Sequence, residues 1–273
     1  VHFAVHATSR DAEEKLQAGL HRLHDEDPTF TVQYNPETRE TVVGGMGERH
    51  LDIALARLKR KYGVAGELTR PTIAYRETIT AREKGQGRHK KQTGGKGQFG
   101  DCWIRMAPLP RGEGYLFDDQ IVGGVIPSKF VPAVDRGVQE AAARGVLAGF
   151  PLVDFKVELY DGSYHSVDSS EQAFKMAGIL AFRAVATKCR PVLLEPLGQI
   201  LGTDAAADGH GTTVRAIVPQ AELHLYATQL QSITHGHATF ARHFHGYEQV
   251  PGDAAQKVIA EHAKEREEAL AEV

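Results

Sequence analysis

The sequence predicts an α+β protein, and three observations carry that prediction. Short stretches alternate apolar and polar residues, as half-buried strands do. Longer stretches repeat apolar residues every three to four positions, as helices packed on one side do. At 273 residues, 41% apolar and 25% charged, the chain has length for two or three domains and a core-forming composition.

The first 76 residues give the clearest pattern. Residues 1–7 alternate as a strand, and Thr8-Ser9-Arg10-Asp11 offers an N-cap for a helix carrying Ala12, Leu16, Leu20 and Leu23 on one face. Phe30-Thr31-Val32-Gln33-Tyr34 and Thr41-Val42-Val43 read as a hairpin around Asn35-Pro36-Glu37. A second helix places Leu51, Leu55, Leu58 and Tyr62 on one stripe and stops at Gly63, before extended sequence through Ile73-Ala74-Tyr75. The order βαββαβ is the ferredoxin-like arrangement, two helices over one face of a four-stranded antiparallel sheet.

Residues 77–195 read as a different domain. Strand-like sequence precedes a basic glycine segment, then come strands at 102–106 and 115–122. A helix with Phe130, Val134, Val138 and Ala141 or Ala142 inward runs to Gly145, and a strand covers 152–160. The polar loop 161–167 leads into Asp168-Ser169-Ser170-Glu171, a capping cluster for a helix bearing Phe174, Ala177, Ile179 or Leu180, and Val185. A third region, 196–273, shows strands at 213–218 and 237–244, a helix after Pro219, and a charged terminal helix from about Gly252 whose lysines and glutamates fit a solvated face.

Composition narrows the function. No run approaches the roughly 18 apolar residues of a membrane span, and the first residues do not form a signal peptide, so a cytoplasmic chain without membrane contact is expected. Cys102 and Cys189 lack metal-ligand spacing and read as reduced buried thiols. A net charge of −3 excludes a globally basic nucleic-acid coat and confines any such binding to patches.

Two polar segments stand out. In Arg88-His89-Lys90-Lys91-Gln92-Thr93-Gly94-Gly95-Lys96-Gly97-Gln98-Phe99-Gly100, lysine and arginine attract phosphate and glycine lets backbone N–H groups approach another backbone, although a solvated hairpin has the same composition. Gly94-Gly95-Lys96-Gly97 is no nucleotide-phosphate loop, because Lys90 stands where that motif needs glycine and Gly97 where it needs Ser or Thr. The second segment, Ser163-Tyr164-His165-Ser166, offers rings that stack on an unpaired base. Packing at the loop base is the alternative for Tyr164, and a solvated charge run the alternative for Arg88, Lys90 and Lys91. Ser163, His165 and Asp168 do not suggest a hydrolytic triad, since side chains so close along one loop rarely meet its geometry. His210, His224, His235, His237, His243 and His245 crowd the last region, but no carboxylate or cysteine phrase completes a metal set. No catalytic, cofactor or metal residue is assigned.

At Gly45-Met46-Gly47-Glu48-Arg49-His50-Leu51, at Gln92-Thr93-Gly94-Gly95-Lys96-Gly97-Gln98-Phe99-Gly100, at residues 161–171 and at Arg190-Pro191-Val192-Leu193-Leu194-Glu195-Pro196, the chain resembles elongation factor G. The motifs keep the family's order over nearly the whole chain. The resemblance implies its third, fourth and fifth domains: ferredoxin-like at 1–76, ribosomal protein S5 domain 2-like at 77–195 and ferredoxin-like at 196–273. It implies a ribosome-binding part of a translational GTPase acting in elongation, with GTP, magnesium and hydrolysis on an N-terminal domain not represented here. The middle domain's tip, mapped to Thr93 through Gly100 and to Ser163 through Ser166, would enter the decoding region beside ribosomal, transfer and messenger RNA. A monomer is expected. A stand-alone module without a GTPase, or a paralogue in ribosome recycling, reuses the same scaffold.

Departures matter too. Arg49 and Thr93 stand where the family usually has leucine and serine, which points to an elongation-factor-G-like paralogue. Glu195-Pro196-Leu197 runs straight into Gly198-Gln199-Ile200, where a strand and helix of roughly 20 to 25 residues are expected. A skipped segment at 197/198 is preferred there over a true loss of the unit, since loss would bare apolar surface and an unpaired edge.

Overall fold

The computed structural model describes residues 1–9, 12–92, 97–202, 214–224, 226–235, 237–238 and 240–271, with side chains described up to 200 in the first long strand of the last region and up to 264 in the terminal helix. The chain divides into two compact units, one of residues 1–74 and 195–246, the other of residues 75–194 and 247–273.

In the first unit, β1 (His2–Ala7), α1 (Glu13–Glu26), β2 (Thr31–Asn35), β3 (Glu40–Gly44), α2 (Glu48–Tyr62) and β4 (Gly66–Thr69) follow one another. Their sheet has the order β2-β3-β1-β4 with antiparallel neighbours, which is the ferredoxin-like arrangement. Leu16, Leu20 and Leu23 of α1 and Leu51, Ala54 and Leu58 of α2 are buried over it with Val5, Phe30 and Val43. Each buried Leu, Val or Phe side chain contributes about 1.5 to 3 kcal/mol of transfer free energy. Gly63 ends α2 in the left-handed region, φ 69°, and its N–H donates to Lys59 O. Two local expectations fail. Ala12 precedes α1 without a side-chain cap, Arg10 and Asp11 lying outside the described residues, and β4 ends at Thr69 so that 70–75 is irregular.

The same unit holds part of the last region: β10 (Pro191–Gly202) from Glu195 onward, β11 (Arg215–Pro219), a 3₁₀ turn Gln220–Leu223, α5 (Tyr226–Ile233) and the start of β12 (Phe240–Gln249). This is a ββαβ set, a ferredoxin-like arrangement without its first strand and helix. The junction at 197/198 is unbroken. One strand runs through it, with Leu197 opposite Pro219 and Gly198 opposite Val218. Residues on both sides of the junction thus belong to one strand.

The second unit contains β5 (Arg76–Ile79), β6 (Glu83–Lys91), β7 (Gln98–Pro108), β8 (Tyr115–Asp119), α3 (Val131–Ala143), β9 (Phe155–Ser163), α4 (Glu171–Ala186) and α6 (Gly252–Ala271). Its sheet order is β6-β7-β9-β8, with β8 parallel to β9 and the other neighbours antiparallel. β5 pairs with Pro191–Leu194 instead of joining that sheet. Ile104, Met106, Val157 and Leu159 from the strands meet Val134, Val138, Phe174 and Phe182 from α3 and α4 in one core.

Glycine explains how closely α4 lies. A Cβ on Gly87 would stand 2.1 Å from Ala177 O, and one on Gly100 2.4 Å from Ala173 O. Gly100 is thus a packing residue, not part of a flexible loop. Cys102 and Cys189 are free and buried. Burial, then the neighbouring Asp101 carboxylate, pushes the Cys102 thiol up to about 12.

Strand directions give the sheet two ends. The connections 92–97, 120–127 and 164–170 leave one end, where α3 and α4 also begin. At the other end two buried carboxylates knot the backbone. Glu77, 0% exposed, accepts N–H bonds from Val146, Leu147, Ala148, Gly149 and Phe150 at 2.6 to 3.1 Å. Asp154 accepts from Arg111, Gly112 and Gly114 at 2.9 to 3.0 Å. There too α6 is anchored, His262 Nδ1 donating to Ala148 O at 2.8 Å with its ring 4.3 Å from that of Phe150.

Candidate nucleic-acid interface

The strands, more than the loops, carry the basic residues. Arg88, Lys90 and Lys91 lie on β6, an edge strand whose exposed side tolerates charge, and Gln98 opens β7 opposite Lys91. The expected hairpin loop is correspondingly shorter, residues 92–97, and Thr93, Gly94, Gly95 and Lys96 fall outside the described residues. Arg88 sits over the Phe99 ring at 5.5 Å, and the His89 ring nitrogen bonds Gln98 Oε1 at 2.9 Å. Among the described residues Arg88, Lys90 and Lys91 have no ion-pair partner, so their charge is available to an outside anion.

Ser163 also belongs to a strand. It ends β9 opposite Asp101, and its hydroxyl donates to Asp101 Oδ2 at 2.7 Å while Gln86 Nε2 donates to Oδ1 at 2.7 Å. This occupies the serine hydroxyl, and no Ser163–His165 hydrogen bond exists among the described residues. Among the described residues, Ser163 therefore lacks the adjacent base that a nucleophile needs.

Loop 164–170 is fastened to the hairpin. Gly97 N donates to Asp168 Oδ1 at 3.0 Å, Phe99 N to Asp168 O at 2.9 Å, and Ser169 Oγ to Phe99 O at 2.9 Å. Ser169 Oγ in turn accepts from His165 N at 2.9 Å. The N–H groups of Val167 and Asp168 point to His165 Nδ1 at 3.3 and 3.1 Å. Tyr164 is 49% exposed, so it does not pack at the loop base; the His165 side chain is 55% exposed and Ser166 is exposed beside it. The Ser170 hydroxyl caps α4 by accepting from Ala173 N at 3.2 Å, the role expected of this cluster.

Two features escaped the sequence. Asp101 and Asp168 act through partners 62 and 71 residues away, which no local pattern reveals. Loop 120–127 leaves the same end of the sheet, with Gly123 and Gly124 at φ 73° and 70° and Val122 81% exposed.

Elsewhere, His224 packs edge-on against Phe3 at 4.9 Å and His210 lies outside the described residues. Among the described residues no three His, Cys, Asp or Glu side chains gather as a metal site, and no helix is long and apolar enough to cross a membrane.

An α+β unit with exposed rings and unpaired cations at one end of its sheet, in a chain that also holds a ferredoxin-like sheet, fits a protein of the translation-factor class. The comparisons agree. Residues 1–70 match Elongation Factor G, domain III, residues 71–190 match Elongation factor G, domain IV, and residues 191–258 match Elongation factor G C-terminus. The chain belongs to the elongation factor G family. A relative named Elongation factor G-like protein, from Thermotoga maritima, is 45% identical over 288 residues, covering 97% of this chain and 42% of the relative. A crystal structure from Thermus thermophilus has a TM-score of 0.82 at 40% identity, over 97% of this chain and 43% of that one. The chain spans less than half the length of either. The 288-residue alignment is longer than the 273-residue chain, so the Thermotoga relative carries residues within the matched span that this chain lacks.

Proposed function

We propose that this chain is the ribosome-binding portion of an elongation-factor-G-like translation factor acting in elongation, with domains at 1–76, 77–195 and 196–273. The middle-domain end bearing Arg88, Lys90, Lys91, Gln98, Tyr164 and His165 enters the decoding region beside ribosomal, transfer and messenger RNA, and Lys96, outside the described residues, is assigned to the same contact from the sequence. The observation carrying this reading is the hydrogen-bonded union of hairpin and loop 164–170, which makes one surface from exposed rings and unpaired cations. Cations meet phosphate there, glycine backbone approaches the sugar-phosphate chain, and Tyr164 or His165 stacks on an unpaired base. GTP and its magnesium belong to an N-terminal domain of the parent protein, which acts in the cytoplasm as a monomer.

Sedimentation of the chain with small ribosomal subunits across a salt series tests this. Lys96→Ala is expected to reduce the salt slope by about one, and His165→Ala to weaken binding with the slope kept. Unchanged binding in both variants would reject the tip assignment.

A further inference from the structure

We propose that Asp168 is a positioning residue: its side chain sets the hairpin against loop 164–170, while its backbone N–H, with that of Val167, leaves the His165 ring proton on Nε2. The inference rests on the reading of this end as the RNA-facing surface. Asp168 meets both loops at once. Its Oδ1 accepts from Gly97 N at 3.0 Å and its carbonyl accepts from Phe99 N at 2.9 Å, both on the hairpin side. Toward its own loop, its N–H donates to His165 Nδ1 at 3.1 Å, and its Oδ2 lies 3.4 Å from that nitrogen.

A ring nitrogen that accepts N–H bonds from Val167 and Asp168 carries no proton, so the neutral ring holds its proton on Nε2. His165 is thereby a fixed outward donor suited to a phosphate oxygen or a base edge. The simpler role for Asp168, capping α4, is already filled by Ser170. Residue 97 also reflects the contact, since a Cβ on Gly97 would lie 3.1 Å from Asp168 Cγ.

Two measurements on the full chain test the proposal. In the free protein, Asp168→Ala should speed exchange of the Gly97 amide about tenfold and leave the His165 tautomer seen in ring nitrogen shifts unchanged, whereas Asp168→Asn, whose Oδ1 still accepts, should keep Gly97 slow. In binding to small ribosomal subunits, Asp168→Ala should weaken affinity up to about tenfold in the native background and less than about twofold in the His165→Ala background. Unchanged Gly97 exchange in Asp168→Ala, or equal losses in the two backgrounds, overturns the positioning role. Native affinity in His165→Ala, with Gly97 responding as stated, overturns the RNA-facing reading and leaves the staple standing.

Discussion

The two ends of the middle-domain sheet use the same device, a carboxylate gathering backbone N–H groups, to opposite effect. At the β5 end, Glu77 is wholly enclosed and takes five N–H groups, and Asp154 is nearly so. At the hairpin end, Asp168 takes one backbone N–H on its carboxylate and stays partly open beside an exposed His165. Saturated and buried, a carboxylate fixes the fold; partly satisfied and open, it joins two surface segments.

The comparison breaks most visibly at Glu77. Replacing it by Ala strands five N–H groups, one buried and four partly buried, and should cost about 4 kcal/mol, read by urea unfolding through the single tryptophan, Trp103, in β7. Asp154→Ala should cost about 3 kcal/mol on the same readout, through three lost donors and alanine forced to φ 58°. Gly87→Ala should cost about 1 to 3 kcal/mol, because its Cβ meets α4 backbone rather than a movable side chain.

Alkaline pH sharpens the picture from inside the sheet. The Cys102 thiol is held near 12 when folded and ionises near about 8.5 when unfolded. Its stabilisation is therefore complete below about pH 8.5 and lost as pH rises toward about 12. Cys102→Ala should flatten the alkaline fall of the Trp103 unfolding midpoint. His165→Ala should change stability least, within about 0.5 kcal/mol, because the ring is exposed.

Much of the frame was legible because its signals are local. The Leu16-Leu20-Leu23 stripe, the Gly63 stop and the Ser170 cap each declare an element within a few residues. The ends of the sheet were less so. Arg88 to Lys91 look like loop because they are polar, yet edge pairing makes them strand. Gly87 and Gly100 look flexible, yet close helix packing needs them. Glu77 in Arg76-Glu77-Thr78-Ile79 carries no periodic signal, since its donors are about 70 residues away. The long β10 was hard to read as one strand because Pro196 and Gly198 interrupt its apolar pattern.

The decisive measurement pairs Trp103 unfolding with affinity for small ribosomal subunits, comparing His165→Ala with Asp154→Ala. The opposed roles of the two ends require that His165→Ala lose about tenfold in affinity at an unchanged unfolding midpoint. They require equally that Asp154→Ala lower the midpoint yet bind normally wherever it remains folded. Folded Asp154→Ala losing affinity as His165→Ala does, or His165→Ala losing stability with its binding intact, would contradict the division.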